Sequence, residues 1–133
     1  MEKTEEKESQ EPEEPFVMYI VVNNDLGMGK GKIASQVGHV VGLITEDIIR
    51  SAYECDDVSN NIDYMNYMKW KKGCAKIVLK ASEQEILKII AGESKARCIM
   101  DAGRTQIAKN SLTVLGFFPR NDLREKMKSY KLL

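Results

Sequence analysis

Two short segments hold the residues whose types and spacing suit them to chemistry. Residues 27–36 read Gly-Met-Gly-Lys-Gly-Lys-Ile-Ala-Ser-Gln, a glycine-rich turn that opens a helix bearing Lys30, Lys32 and Gln36. Residues 101–106 read Asp-Ala-Gly-Arg-Thr-Gln, which sets the Asp101 carboxylate and the Thr105 hydroxyl in one tight turn after a strand. Brought together by a fold, they make a polar site with a phosphate-attracting rim and no metal.

On a helix Lys32, Gln36 and His39 share one stripe, because residues three and four apart are surface neighbours. The stripe borders the apolar face of Ile33, Val37 and Val40, which suits the edge of a cleft. Lys30 and Lys32 fall at the helix N-terminus, where free N–H groups and the dipole favour anions. Gly27, Gly29 and Gly31 permit the close approach of a phosphate backbone. The same pattern also fits an ordinary helix start with solvated lysines. It is not a P-loop, since neither Lys30 nor Lys32 is followed by Ser or Thr, and it lacks the dinucleotide fingerprint. His39 has two readings, a direct role or a plain surface or packed residue. Asp101 falls at a strand C-terminus, the place where open α/β sheets carry their sites. There it can orient a lysine and hold a water, with Thr105 donating and accepting in the same network. Asp101 and Thr105 also serve equally well as simple turn caps.

The elements that must position these residues fit one domain of α/β type. The chain has 133 residues, 43% of them apolar, enough to bury a core. Residues 16–23 form a continuous β-branched run suited to a strand covered on both faces. A turn over 24–31 leads to a helix over 30–53, with Ile33, Val37, Val40, Val41, Ile44 and Ile48 at helical spacing facing the sheet. A polar break at 55–61 precedes a helix at 62–72 and a strand at 74–80. Ser82 with Glu85 three residues on is the capping-box pattern for a helix reaching 91. Strands at 97–100 and 112–118 follow, joined through a loop at 106–111, and a last helix spans 121–129. The first crossover is expected to be parallel.

The formal net charge is zero, but it is unevenly spread. Residues 1–15 contain seven Glu and two Lys, which leaves 18 basic and 13 acidic residues on the remainder. The first segment is read as a disordered acidic tail, either a solubilising tail or a screen for a basic face. Cys55, Cys74 and Cys98 show no metal-ligand spacing, and with a single His a structural zinc site is not expected. Reduced, mostly packed thiols are expected. No apolar run approaches the roughly 20 residues of a membrane span, and no secretory signal is legible, so a soluble intracellular protein is expected.

Taken together the motifs resemble the archaeal and eukaryotic type of peptidyl-tRNA hydrolase, over roughly residues 18–133. The matching pieces are Val21-Val22, Asp25-Leu26, residues 28–32 with Ala34, Gln36 and His39, residues 76–80, residues 101–108, Ser111 and residues 113–116. The chain departs from the usual pattern at Asn23, where Arg is common, at Ser35 and Val40, at residues 117–120 and around residues 56–61. None of these touches the proposed catalytic residues.

The resemblance implies a mixed four-stranded sheet flanked by helices in a single domain, 16–133, usually dimeric. It implies hydrolysis of the ester between a peptide and the 3′ ribose of a tRNA, with no cofactor. It places Lys32, Asp101 and Thr105 in the active site, with Gln36, His39 and Thr113 near it, and Lys30 and Arg104 on tRNA phosphates. The competing readings are a non-catalytic RNA-binding module and a protein-interaction factor in cell-death signalling. The acidic N-terminal segment, where anchored relatives carry an apolar one, points to the cytoplasm.

Overall fold

The apolar run near the N-terminus is the central strand of the sheet. The structure, a computed structural model, describes residues 12–102 and 110–133. Strand β1 (Met18–Asn23) has all six residues buried, because both of its faces are covered. Met18, Ile20 and Val22 enter one apolar cluster, and Tyr19 and Val21 enter the other.

A 3-10 turn at Asn24–Leu26 leads into α1 (Lys30–Glu54), followed by α2 (Ile62–Trp70), β2 (Lys76–Ala81), α3 (Glu83–Ala91), β3 (Ala96–Met100), β4 (Leu112–Phe117), α4 (Arg124–Met127) and β5 (Lys131–Leu132). Strand order is β3-β4-β1-β2-β5. β1 and β2 are parallel, as expected for the first crossover. β4 runs antiparallel to both β1 and β3, and β5 antiparallel to β2. Strands β1, β2 and β3 therefore end at one edge of the sheet, the edge where β4 begins. Helices α1 and α2 cover one face, and α3 and α4 cover the other.

The structure corrects the strand count. Among the described residues the sheet has five strands, not four. The fifth, Lys131–Leu132, is two residues long and pairs with Leu79 and Lys80, too short for any periodicity to register. The last helix is also shorter than expected, a single turn at Arg124–Met127 instead of 121–129. Arg120 grips Asp122 through Nε and Nη2, at 2.8 and 3.0 Å, and holds the preceding residues in a bend. The expected disordered tail falls mainly on residues 1–11, which lie outside the described residues.

Packing of α1 fixes the site. Its buried residues are Gln36, Val40, Ile44, Ile48 and Ala52, every fourth position. Ile33, Val37 and Val41 lie partly buried at the margin. The helix sits tightly on β4 because Gly116 lacks a side chain. A Cβ at Gly116 would stand 2.9 Å from both Ile44 Cδ1 and Val40 Cγ2. Farther along, Arg97 of β3 donates from Nε to Asp47 Oδ2 at 2.8 Å and ties the helix to the edge strand. Ser82 and Glu85 form the expected capping box at the start of α3.

Candidate active site

Lys32 lies one turn before Gln36 and extends the buried row of α1 past the end of the sheet. There its Nζ donates to Asp101 Oδ1. The pair is largely withdrawn from water, with side-chain exposures of 11% for Lys32 and 4% for Asp101. Asp101 immediately follows β3, and its own backbone is pinned across the chain. Asp101 N–H donates to Ser111 O at 2.8 Å, and Asn110 N–H donates to Asp101 O at 2.7 Å. Asn110 takes a left-handed backbone, φ 65°, a conformation Asn tolerates better than most residues.

Beneath this ion pair runs a second polar relay. Gln36 Nε2 donates to Thr113 Oγ1 at 2.8 Å, and Thr113 Oγ1 donates to Ile99 O at 2.9 Å. A β-bulge aims Thr113. Ile99 pairs with Val114 and Met100 with Leu112, so Thr113 is the extra residue on β4. The bulge turns Thr113 and Val114 to the same side, toward α1, while Leu112 and Leu115 both face α3. An unbroken pleat would have sent Thr113 to the other face.

The rim of the site is the start of α1. Gly29 is the N-cap, its own residue type offers no capping side chain, and no acidic residue occupies the first turn. The helix dipole and the exposed Lys30 leave that end electropositive. Gly27 holds φ +58°, the left-handed turn that reverses the chain before the helix, and nothing lies within 4 Å of a Cβ built at Gly31.

Of the residues singled out from sequence, the fold brings together Lys32, Asp101, Gln36 and Thr113. His39 is exposed on α1, three residues past Gln36 and one position before buried Val40. Arg104 and Thr105 lie outside the described residues, as does most of the 106–111 loop. Among the described residues no group of three or more His, Cys, Asp or Glu is placed to hold a metal ion, and no helix is long and apolar enough to cross a membrane. All three cysteines are free, with Cys74 exposed. Burial pushes the Cys98 thiol above its ordinary value, which is the opposite of activation.

Sequence reasoning gave Asn23 no structural role, treating it only as a departure. It is 1% exposed and joins three elements. Nδ2 donates to Leu112 O at 2.8 Å and to Glu83 Oε1 at 3.0 Å, and Oδ1 accepts from Asp25 N. The available signal is an amide placed directly after a fully apolar strand, where a buried side chain must answer stray backbone groups.

Comparison with known proteins identifies a family. The family described as "Peptidyl-tRNA hydrolase PTH2" matches residues 16–133. A Schizosaccharomyces pombe protein named "Probable peptidyl-tRNA hydrolase 2" is 40% identical over 108 residues, covering 77% of this chain and 47% of its own. A Homo sapiens protein named "Peptidyl-tRNA hydrolase 2, mitochondrial" is 37% identical over 110 residues, 78% of this chain and 55% of its own. A Sulfurisphaera tokodaii protein named "Peptidyl-tRNA hydrolase" is 38% identical over 108 residues, 77% of this chain and 84% of its own. The chain thus spans about half the length of the eukaryotic relatives and most of the archaeal one.

Proposed function

This chain belongs to the peptidyl-tRNA hydrolase PTH2 family, and from that premise we propose that it hydrolyses the ester joining a peptide, or an N-blocked amino acid, to the 3′ ribose of a tRNA. The observation that carries the reading is the nearly buried Lys32–Asp101 pair at the end of β3, beside the start of α1.

Ester hydrolysis needs an activated water, a donor for the developing oxyanion and a way to release the ribose oxygen. Asp101 accepts a hydrogen bond from the attacking water, or takes its proton. An ammonium carries three N–H donors, and among the described residues Asp101 takes one of them. Lys32 keeps the others for the carbonyl oxygen, whose charge grows in the transition state, a contribution of about 3–4 kcal/mol. The pair is already dehydrated, so little reorganisation accompanies the reaction. Thr105 positions the water or the ribose hydroxyl. Gln36 and Thr113 set the rotation of α1 on the sheet and so the reach of Lys32, and His39 lies farther out on the same helix. Lys30 and Arg104 meet tRNA phosphates, which give affinity without base reading. No nucleophilic cysteine or serine takes part.

We assign the domain to residues 16–133, preceded by an acidic tail, and place the protein in the cytoplasm as a homodimer. The assembly rests on the family resemblance and is read by sedimentation equilibrium.

Incubating the purified chain with tRNA esterified to a labelled N-acetyl amino acid tests the reading. Release of the labelled acid together with deacylated tRNA supports it. Stable binding with the ester intact contradicts it and favours an RNA-binding module.

A further inference from the structure

Two lysines face each other across the last strand pair. Lys80 of β2 is directly opposite Lys131 of β5. Like charges at paired positions of a sheet repel and destabilise it. Neither residue makes an ion pair among the described residues, although ten such pairs occur elsewhere among them.

Both lysines line an open cleft of about 360 Å³ at the edge of the sheet where β1, β2 and β3 end. Ser129 and Tyr130 also line it, and so do two carboxylates, Asp25 and Glu85. The carboxylates are already engaged. Asp25 accepts from Glu83 N at 2.9 Å, and Glu85 accepts from Ser82 N at 2.9 Å and Ser82 Oγ at 3.1 Å. Leu79 and Ala81 turn toward α3, so the pleat sends Lys80, and Lys131 opposite it, to the face that carries α1. That is the face from which Lys32 reaches Asp101.

We propose that Lys80 and Lys131 form a second phosphate-binding seat, which holds the tRNA backbone while its 3′ end lies at Lys32. The inference rests on the tRNA-ester reading above. An RNA phosphodiester gives both ammonium groups an ionic partner, and its polyanionic backbone is long enough to run across the sheet from this edge toward the end of β3.

The test is the salt dependence of binding to deacylated tRNA, alongside KM and kcat on the N-acetylaminoacyl ester. The wild type is compared with the Lys80→Gln/Lys131→Gln double variant. The log–log salt slope is expected to become shallower by about one to two, and KM to rise about tenfold with kcat unchanged. The Lys80→Arg/Lys131→Arg variant should keep the wild-type slope. The thermal midpoint of the Gln variant should hold or rise, which a merely structural role would not produce. If that variant fails to fold, Lys131→Gln alone, at an exposed position, carries the test with about half the change in slope. A comparison variant, Lys71→Gln/Lys72→Gln, removes the same charge just before β2, at the opposite edge, and should leave the slope alone. A wild-type slope in the Lys80/Lys131 variant, or an equal loss in the Lys71/Lys72 variant, overturns the inference. Absence of ester release from the wild type counts against the hydrolase reading instead, and the binding slope still decides the seat.

Discussion

Gln36 on α1 donates to Thr113 on β4 at 2.8 Å, and this bond joins the helix that carries Lys32 to the strand that leads back to Asp101. Thr113 in turn donates to Ile99 O at 2.9 Å, so one hydroxyl links α1, β4 and the edge strand β3 two residues from the carboxylate. Replacing Thr113 by Val removes the acceptor for Gln36 and the donor for Ile99 within a buried region. Leaving buried groups unanswered costs about 1–3 kcal/mol each at most. Urea denaturation of Thr113→Val should show a loss in that range and a reduced kcat, while Thr113→Ser recovers most of both.

The helix is seated by Gly116. A Cβ there would press on Ile44 and Val40 at 2.9 Å, and neither neighbour has room to yield in a fully buried layer. Gly116→Ala should lose about 1–3 kcal/mol through overpacking. It should also lower turnover, since α1 must lift and take Lys32 with it. Unchanged stability together with unchanged turnover would show that the contact does not set the height of the helix.

A buried ion pair is a poor stabiliser, and this one is proposed to serve chemistry. Lys32→Met leaves the Asp101 carboxylate nearly buried without its cation, and breaking such a pair by removing one partner costs about 3–5 kcal/mol. The Lys32→Met/Asp101→Leu variant removes both charges and should recover most of that loss. Neither variant should hydrolyse ester. Recovery of stability without activity, read by thermal denaturation and turnover together, separates the two roles.

Far from the site, Arg120 holds the Asp122 carboxyl below its ordinary value through a hydrogen bond, with charge attraction adding to it. A depressed carboxylate adds stability that is present above the ordinary aspartate range and is lost as pH falls through the lowered value. Asp122 is mostly exposed, so the contribution is small. The gap in urea midpoint between wild type and Asp122→Asn should be constant near neutral pH and close as pH drops below about 4. A gap that widens on acidification would reverse the sign of this linkage.

Much of the fold was legible because its signals are long or chemically explicit. The apolar run of β1, the fourfold row of α1 and the Ser82–Glu85 capping box each follow from local rules. The parallel pairing of β1 and β2 follows from the helices between them. What escaped depends on tertiary partners. β5 is a strand only because β2 offers it an edge. The bulge at Thr113 is invisible in a pattern of residue types, although it decides which face receives the hydroxyl. Lys32 and Asp101 could be picked out from two separate motifs, but their contact is made 69 residues apart by the seating of α1. The same helical stripe that placed Lys32 and Gln36 also included His39, which lies off the buried row and faces solvent.

The most direct test of the central claim is single-turnover release of labelled N-acetyl amino acid from its tRNA ester, with no metal added, by wild type and Asp101→Asn. The substitution keeps the shape of the side chain and removes its charge and proton affinity. Rapid release by wild type and a loss of at least about a hundredfold in Asp101→Asn, the lower range of a general-base contribution, is the predicted result. Equal release by the two proteins would contradict the placement of the reaction at the Lys32–Asp101 pair.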